Sequence, residues 1–146
     1  PRYVLLHTFS HLLIRSLAKM CGYQSASLKE RIYSTYPSGE NMAGILIYTA
    51  SSDVEGSLGG LAAQGKSEYL EKIIDDLLDE AEWCSGDPLC MTSTGINGQG
   101  LYGLNYAACH QCTLLPETSC TMRNLLLDRA ALIGRTEDGT VGFFIL

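Results

Sequence analysis

A cysteine-rich stretch constrains this chain more than any other feature: Cys84-x5-Cys90, then Cys109-His-Gln-Cys112-x7-Cys120, holding five of the six cysteines. Two thiols separated by two residues grip one tetrahedral ion from a single tight turn. A further pair from the flanks closes the coordination sphere, as in structural zinc sites. The spacing therefore predicts a structural Zn2+, one per chain, whose ligation free energy is folding free energy of order 10 kcal/mol. Disulfides are the competing reading. Six cysteines in 146 residues are sparse for a stapled secreted miniprotein, and with Cys21 isolated in a helical pattern an awkward five remain to pair.

Only four ligands are needed. Cys109 and Cys112 form the CxxC pair, and Cys120 follows closely. For the fourth, Cys90 is preferred because the Asp87-Pro88 turn can aim its sulfur inward. Cys84 is the alternative, since beside Trp83 at a helix end it can equally be a packed thiol. His110, inside the CxxC, is expected to point away from the metal. Four thiolates leave no open position and make a poor Lewis acid, so catalytic zinc fares worse. The His-x-Glu of zinc deaminases is missing as well.

At 146 residues the chain reads as a single domain, 1–146, and its opening Pro1-Arg2-Tyr3 reads as that of a fragment, the C-terminal part of a larger protein. A net charge of −6 argues against a free-standing binder of phosphate backbones. No apolar run approaches the roughly 18 residues of a membrane span, so no membrane partner is expected.

Leu5, Leu6, Phe9, Leu12, Leu13, Leu17 and Met20 recur at helical spacing over 3–20, with Gly22 as a C-terminal cap. His7, His11 and Arg15 line the opposite face, which is expected to meet another part of a larger protein. His7 and His11 have the spacing of a metalloprotease pair, but Thr8 stands where the general-base Glu belongs. Residues 27–30 fit either a capping box or the approach to a strand. Pro37–Asn41 reads as a turn, 45–48 as a buried strand and 51–60 as a glycine-bearing loop. Residues 67–83 form the clearest helix, with an apolar stripe from Leu70 to Ala81 and seven acidic side chains on its other faces. A further helix is expected near 121–132 and a strand over 141–146. The fold class is thus α+β: a small sheet around 45–49 and 141–146, packed helices and a four-cysteine zinc knuckle. Loss of one ligand is expected to unfold the second half and affect the first helix less.

Several stretches together carry a family resemblance: His7–Leu17, Gly44–Thr49, the 53–60 loop, and Ala107-Ala-Cys-His-Gln-Cys112 with Cys120 and Asn124–Arg129, in that order. The chain resembles, over essentially its whole length, the MrfA-type zinc-binding domain, catalogued as a C-terminal domain of unknown function of superfamily 2 DNA helicases. The wording of 87–90 and 114–120 is closer to the DrmB-type members, components of the DISARM anti-phage system. The helicase members have a short gap where residues 91–108 separate Cys90 from Cys109, and a Gly where Ala108 stands. The resemblance implies a cytoplasmic bacterial module, non-catalytic and held by structural zinc, in a helicase-associated anti-phage defence or DNA-repair complex. Its implied partner is a helicase subunit or the rest of its own chain, with nucleic acid met only indirectly. The contact would be carried by His7, His11 and Arg15 or by the acidic face of 67–83. The alternative is a metal-dependent or His11-centred hydrolase acting on nucleic acid.

Overall fold

A computed structural model describes residues 1–35, 40–49, 60–93, 97–136 and 138–144. Helix α1 runs from Arg2 to Cys21 and ends on Gly22, whose φ of 71° lies in the left-handed region that glycine enters without steric cost. Apolar residues are spread around α1, and other elements pack on it from several sides: both strands, the long acidic helix and the last helix. Leu12, Ile14 and Leu17 join the core while Met20 stays exposed. The polar His7, Thr8, Ser10, His11 and Ser16 are buried as well. Strand β1 (Leu28–Ser34) pairs antiparallel with β2 (Ala43–Thr49), Glu30 facing Ile47 and Ile32 facing Ile45. Residues 28–30 are therefore strand. Alternate residues of a strand share a face, so Glu30 follows Leu28 inward, and both are fully buried. On the outer face Leu46 and Tyr48 remain exposed, so β2 is half-buried where burial on both faces was expected.

After the short α2 (Gly60–Gln64), α3 (Ser67–Ala81) buries Ile73, Leu77, Leu78 and Ala81. The acidic residues from Glu68 to Glu82 are all exposed. Most of the expected 37–41 turn and 51–60 loop lies outside the described residues.

Two expectations for the C-terminal part change. The helix near 121–132 shrinks to α4 (Ala130–Ile133), because Arg123, Asn124 and Leu126 have φ of 51°, 59° and 63° and cannot belong to a right-handed helix. Two buried asparagines supply the hydrogen bonds that a helix would have made. Asn124 accepts from Leu115 N–H through Oδ1 (2.9 Å) and donates to Leu115 O (2.7 Å). Asn105 accepts from Leu127 N–H (3.0 Å) and donates to Asn124 O (2.6 Å). Of the strand expected over 141–146, residues 141–144 do not join the sheet, and 145–146 lie outside the described residues. The N–H groups of Phe143 and Phe144 bond instead to the carbonyls of Ala131 and Leu132, and Phe144 stacks on Phe9 with ring centroids 5.7 Å apart. Gly142 permits that approach, since a Cβ there would lie 2.4 Å from Leu132 O. No helix among the described residues is long and apolar enough to cross a membrane.

Replacing Asn105 with Ala strands a buried N–H and a buried C=O. The expected cost is about 1–3 kcal/mol for each group left unpaired, measured by urea unfolding of the zinc-loaded protein.

Candidate metal centre

Helix α3 stops three residues short of Cys84, and the chain then turns through Asp87 to Cys90. The Asp87 carboxylate organises this turn, accepting N–H bonds from Cys84 (2.8 Å) and Met91 (3.1 Å). Arg129, fully buried just before α4, meets both Asp87 oxygens at 2.7 and 2.8 Å and donates to Ala81 O at 2.8 Å. One guanidinium thus joins the end of α3, the first cysteine turn and the start of α4. The second turn closes as the N–H groups of Thr113 and Leu114 bond to Cys109 O. From α1, Arg15 donates to Gln111 O (2.8 Å) and Leu114 O (3.2 Å), holding this turn against the helix.

The two turns bring four sulfurs together. Cys84 and Cys109 lie 3.5 Å apart, Cys109 and Cys112 3.7 Å, and Cys90 and Cys112 3.8 Å. Tetrahedral zinc with Zn–S bonds near 2.3 Å needs sulfur–sulfur edges of about 3.8 Å. All four ligand atoms fall within 4.8 Å of one another, and all six cysteines are free. Backbone N–H groups of Gly86 and Cys109 point at the sulfurs of Cys84 and Cys112 (3.3 and 3.4 Å). Hydrogen bonding with Cys90 holds Cys112 well below the usual thiol range, helped by the Thr113 hydroxyl at 3.2 Å. Cys90 is pushed up correspondingly, and burial raises Cys84 to about 11. Soft donors at these spacings fit a zinc ion, whose charge offsets that of the thiolates. Bound there, the ion acts as a cross-link between the two turns.

Residues 9–113 match the family model described as the MrfA Zn-binding domain. The chain belongs to this family. The matched span contains Cys84, Cys90, Cys109 and Cys112 and ends before Cys120. Four clustered thiols in a zinc-binding family make the zinc structural. The chain is also 46% identical over 142 residues to a DISARM protein DrmB of Bacillus paralicheniformis. That alignment covers 97% of this chain and 24% of the relative, so the chain spans about a quarter of that relative's length.

Two sequence assignments are relocated. Cys84, the alternative ligand, occupies the fourth corner of the cluster, and Cys120 lies elsewhere. Its sulfur is 3.1 Å from His7 Nε2, in a second buried group with His11 and Glu30. Expected on an outward face, His7 and His11 are fully buried, and Arg15 is spent on the chain's own cysteine turn, so this face packs inward. His110 is exposed and outside the cluster. Within the second group, Glu30 Oε1 is 2.9 Å from His7 Nε2 and 3.4 Å from His11 Nε2. Burial alone would raise Glu30, but the two imidazoles outweigh it and hold the carboxyl well below its usual range. Burial lowers His11 and pushes Cys120 up to about 11.

Sequence reasoning missed Glu30, Asp87 as an anchor, and Arg129. For Glu30 a signal existed: read as a strand, 28–32 alternates Leu28, Glu30 and Ile32 on one face. Asp87 and Arg129 are 42 residues apart, and only the fold pairs them.

Asp87→Ala should destabilise the zinc-loaded protein by about 3–5 kcal/mol, because it leaves a buried guanidinium unpaired. Arg129→Met in the same chain should recover part of that loss, as read from a double-mutant cycle of urea midpoints.

Proposed function

We propose that this domain is a non-catalytic interaction module of a larger defence protein, held by a zinc ion on Cys84, Cys90, Cys109 and Cys112. One observation carries the reading: four sulfurs lie within 4.8 Å of one another, enough to fill every position of a tetrahedral zinc ion and leave none for a substrate or an activated water. The similarity to a DISARM protein DrmB supports a place in DISARM-type anti-phage defence, beside a helicase subunit or within the rest of the same chain. Six free thiols suit the reducing cytoplasm. With His7 and His11 buried, the partner contact passes to the exposed acidic face of α3, from Glu68 to Glu82. That face repels phosphate backbones, so any DNA contact belongs to the partner.

The test is metal exchange in the full-length protein. Cd2+, a softer ion suited to four thiolates, should preserve folding and phage protection if the site only cross-links. A cadmium form that folds and binds its partner yet fails to protect would assign chemistry to the metal and overturn the reading. Charge reversal at Asp75, Asp79 and Glu82 should leave zinc content unchanged and abolish partner capture.

A further inference from the structure

The second buried group has the makings of a site of its own. His7 and His11 stand one turn apart on α1, which places both imidazoles on one side of the helix. Glu30 reaches in from β1, and Cys120 follows the tight turn at 117–119. The two histidines and the glutamate are fully buried and Cys120 is 6% exposed, and their four ligand atoms lie within 4.8 Å of one another. None of the four belongs to the four-thiol cluster.

Hydrogen bonding accounts for only part of this convergence, through the contact of His7 Nε2 with Cys120 Sγ. The closest contacts, 2.9, 3.1 and 3.4 Å, are short. Even so, both Glu30 oxygens and His11 Nε2 lack an aligned hydrogen-bond partner, as does His7 Nδ1. Buried carboxylate and imidazole atoms that crowd together without an aligned partner are placed as ligands of a shared cation are placed. Zn–N and Zn–O bonds near 2.1 Å with a Zn–S bond near 2.3 Å make tetrahedral edges of about 3.3–3.6 Å, which the His11–Glu30 separation of 3.4 Å matches, while those of 2.9 and 3.1 Å must open by about 0.5 Å to admit the ion.

The surroundings orient the donors. His11 Nδ1 donates to Thr113 O at 3.1 Å, which turns the lone pair of Nε2 toward the group, the arrangement metal-bound imidazoles use. The Asn124 N–H points at Cys120 Sγ at 3.3 Å, as it would toward a thiolate ligand. One carboxylate and one thiolate balance a divalent ion, so two neutral imidazoles complete an electrically neutral buried set.

We propose that His7, His11, Glu30 and Cys120 form a second structural metal site, taking a divalent ion of the zinc type. It would tie α1 to β1 and to the segment after the CxxC turn, closing a span of 113 residues between His7 and Cys120. This inference does not rest on the proposed defence role. The competing account is a metal-free imidazole–carboxylate pair beside a buried thiol.

The two accounts separate in the purified chain reconstituted with Zn2+ alone. Elemental analysis should find about two zinc ions per chain, and X-ray absorption should show nitrogen and oxygen mixed into the sulfur shell. Cys120→Ser and Glu30→Gln should each lose one equivalent and leave an all-sulfur shell. Wild-type protein with about one zinc in a pure sulfur shell overturns the proposal. So does a second equivalent that survives both substitutions. Should a variant fail to fold, the wild-type shell decides alone.

Discussion

Between Cys84 and Arg129 the described residues include neither an α-helix nor a paired strand of a sheet, so the backbone polar groups there must find partners one at a time. The four-thiol cluster makes that possible by fixing the ends of both cysteine turns to a common point. Around it Asp87 takes up two backbone N–H groups, and Asn105 and Asn124 stand in for missing ladder hydrogen bonds. Apolar burial in this stretch is thin: Ala107, Ala108, Leu115 and Leu127 are its main buried apolar side chains besides the cysteines. Zinc ligation, worth roughly 10–16 kcal/mol in small zinc modules, is the term large enough to hold such irregular chain in one conformation.

The first half is regular but no more independent. A lone two-stranded hairpin is marginal in water, and β1–β2 is stable only because Leu28 and Glu30 pack on α1. Helix α1 in turn has no free polar face. Thr8 Oγ1 accepts the Asp128 N–H (3.0 Å), His11 reaches Thr113, and Arg15 grips the CxxC turn. A central helix surrounded by its own chain turns polar residues inward, and most of those on α1 meet partners from the second half of the chain. That is why the histidines look like surface residues by periodicity and are core residues in the fold.

Local spacing made part of this legible. The CxxC pair, the acidic helix from Ser67 and the α1 stretch closed by Gly22 are all short-range patterns. The assignments that moved depend on long-range choices. By its nearness to the CxxC pair Cys120 reads as the better ligand and Cys84 only as an alternative; in the fold the buried pairing of Asp87 with Arg129 brings Cys84 into the cluster, and the inward polar face of α1 claims Cys120. The run Leu125–Leu127 imitates a helix, but Arg123, Asn124 and Leu126 are left-handed, and Asn124 and Leu127 are held by asparagine side-chain bonds that link them to Leu115 and Asn105, 9 to 22 positions away. Glu30 was obscured because residues 27–30 match a capping box, and only the pairing with β2 reveals its phase.

Thr113 shows why the two halves are not separable in the way the cysteine spacing alone suggests. Its hydroxyl donates to Cys112 Sγ in the four-thiol cluster, and its carbonyl accepts from His11 in the group beneath α1. A displacement of the CxxC turn therefore moves the acceptor that orients His11, and through it the contact with Glu30 on β1. Arg15 adds a second link from α1 to the same turn. Loss of a zinc ligand in the second half thus has two hydrogen-bonded routes to α1, the helix that the sequence reading expects to be less affected.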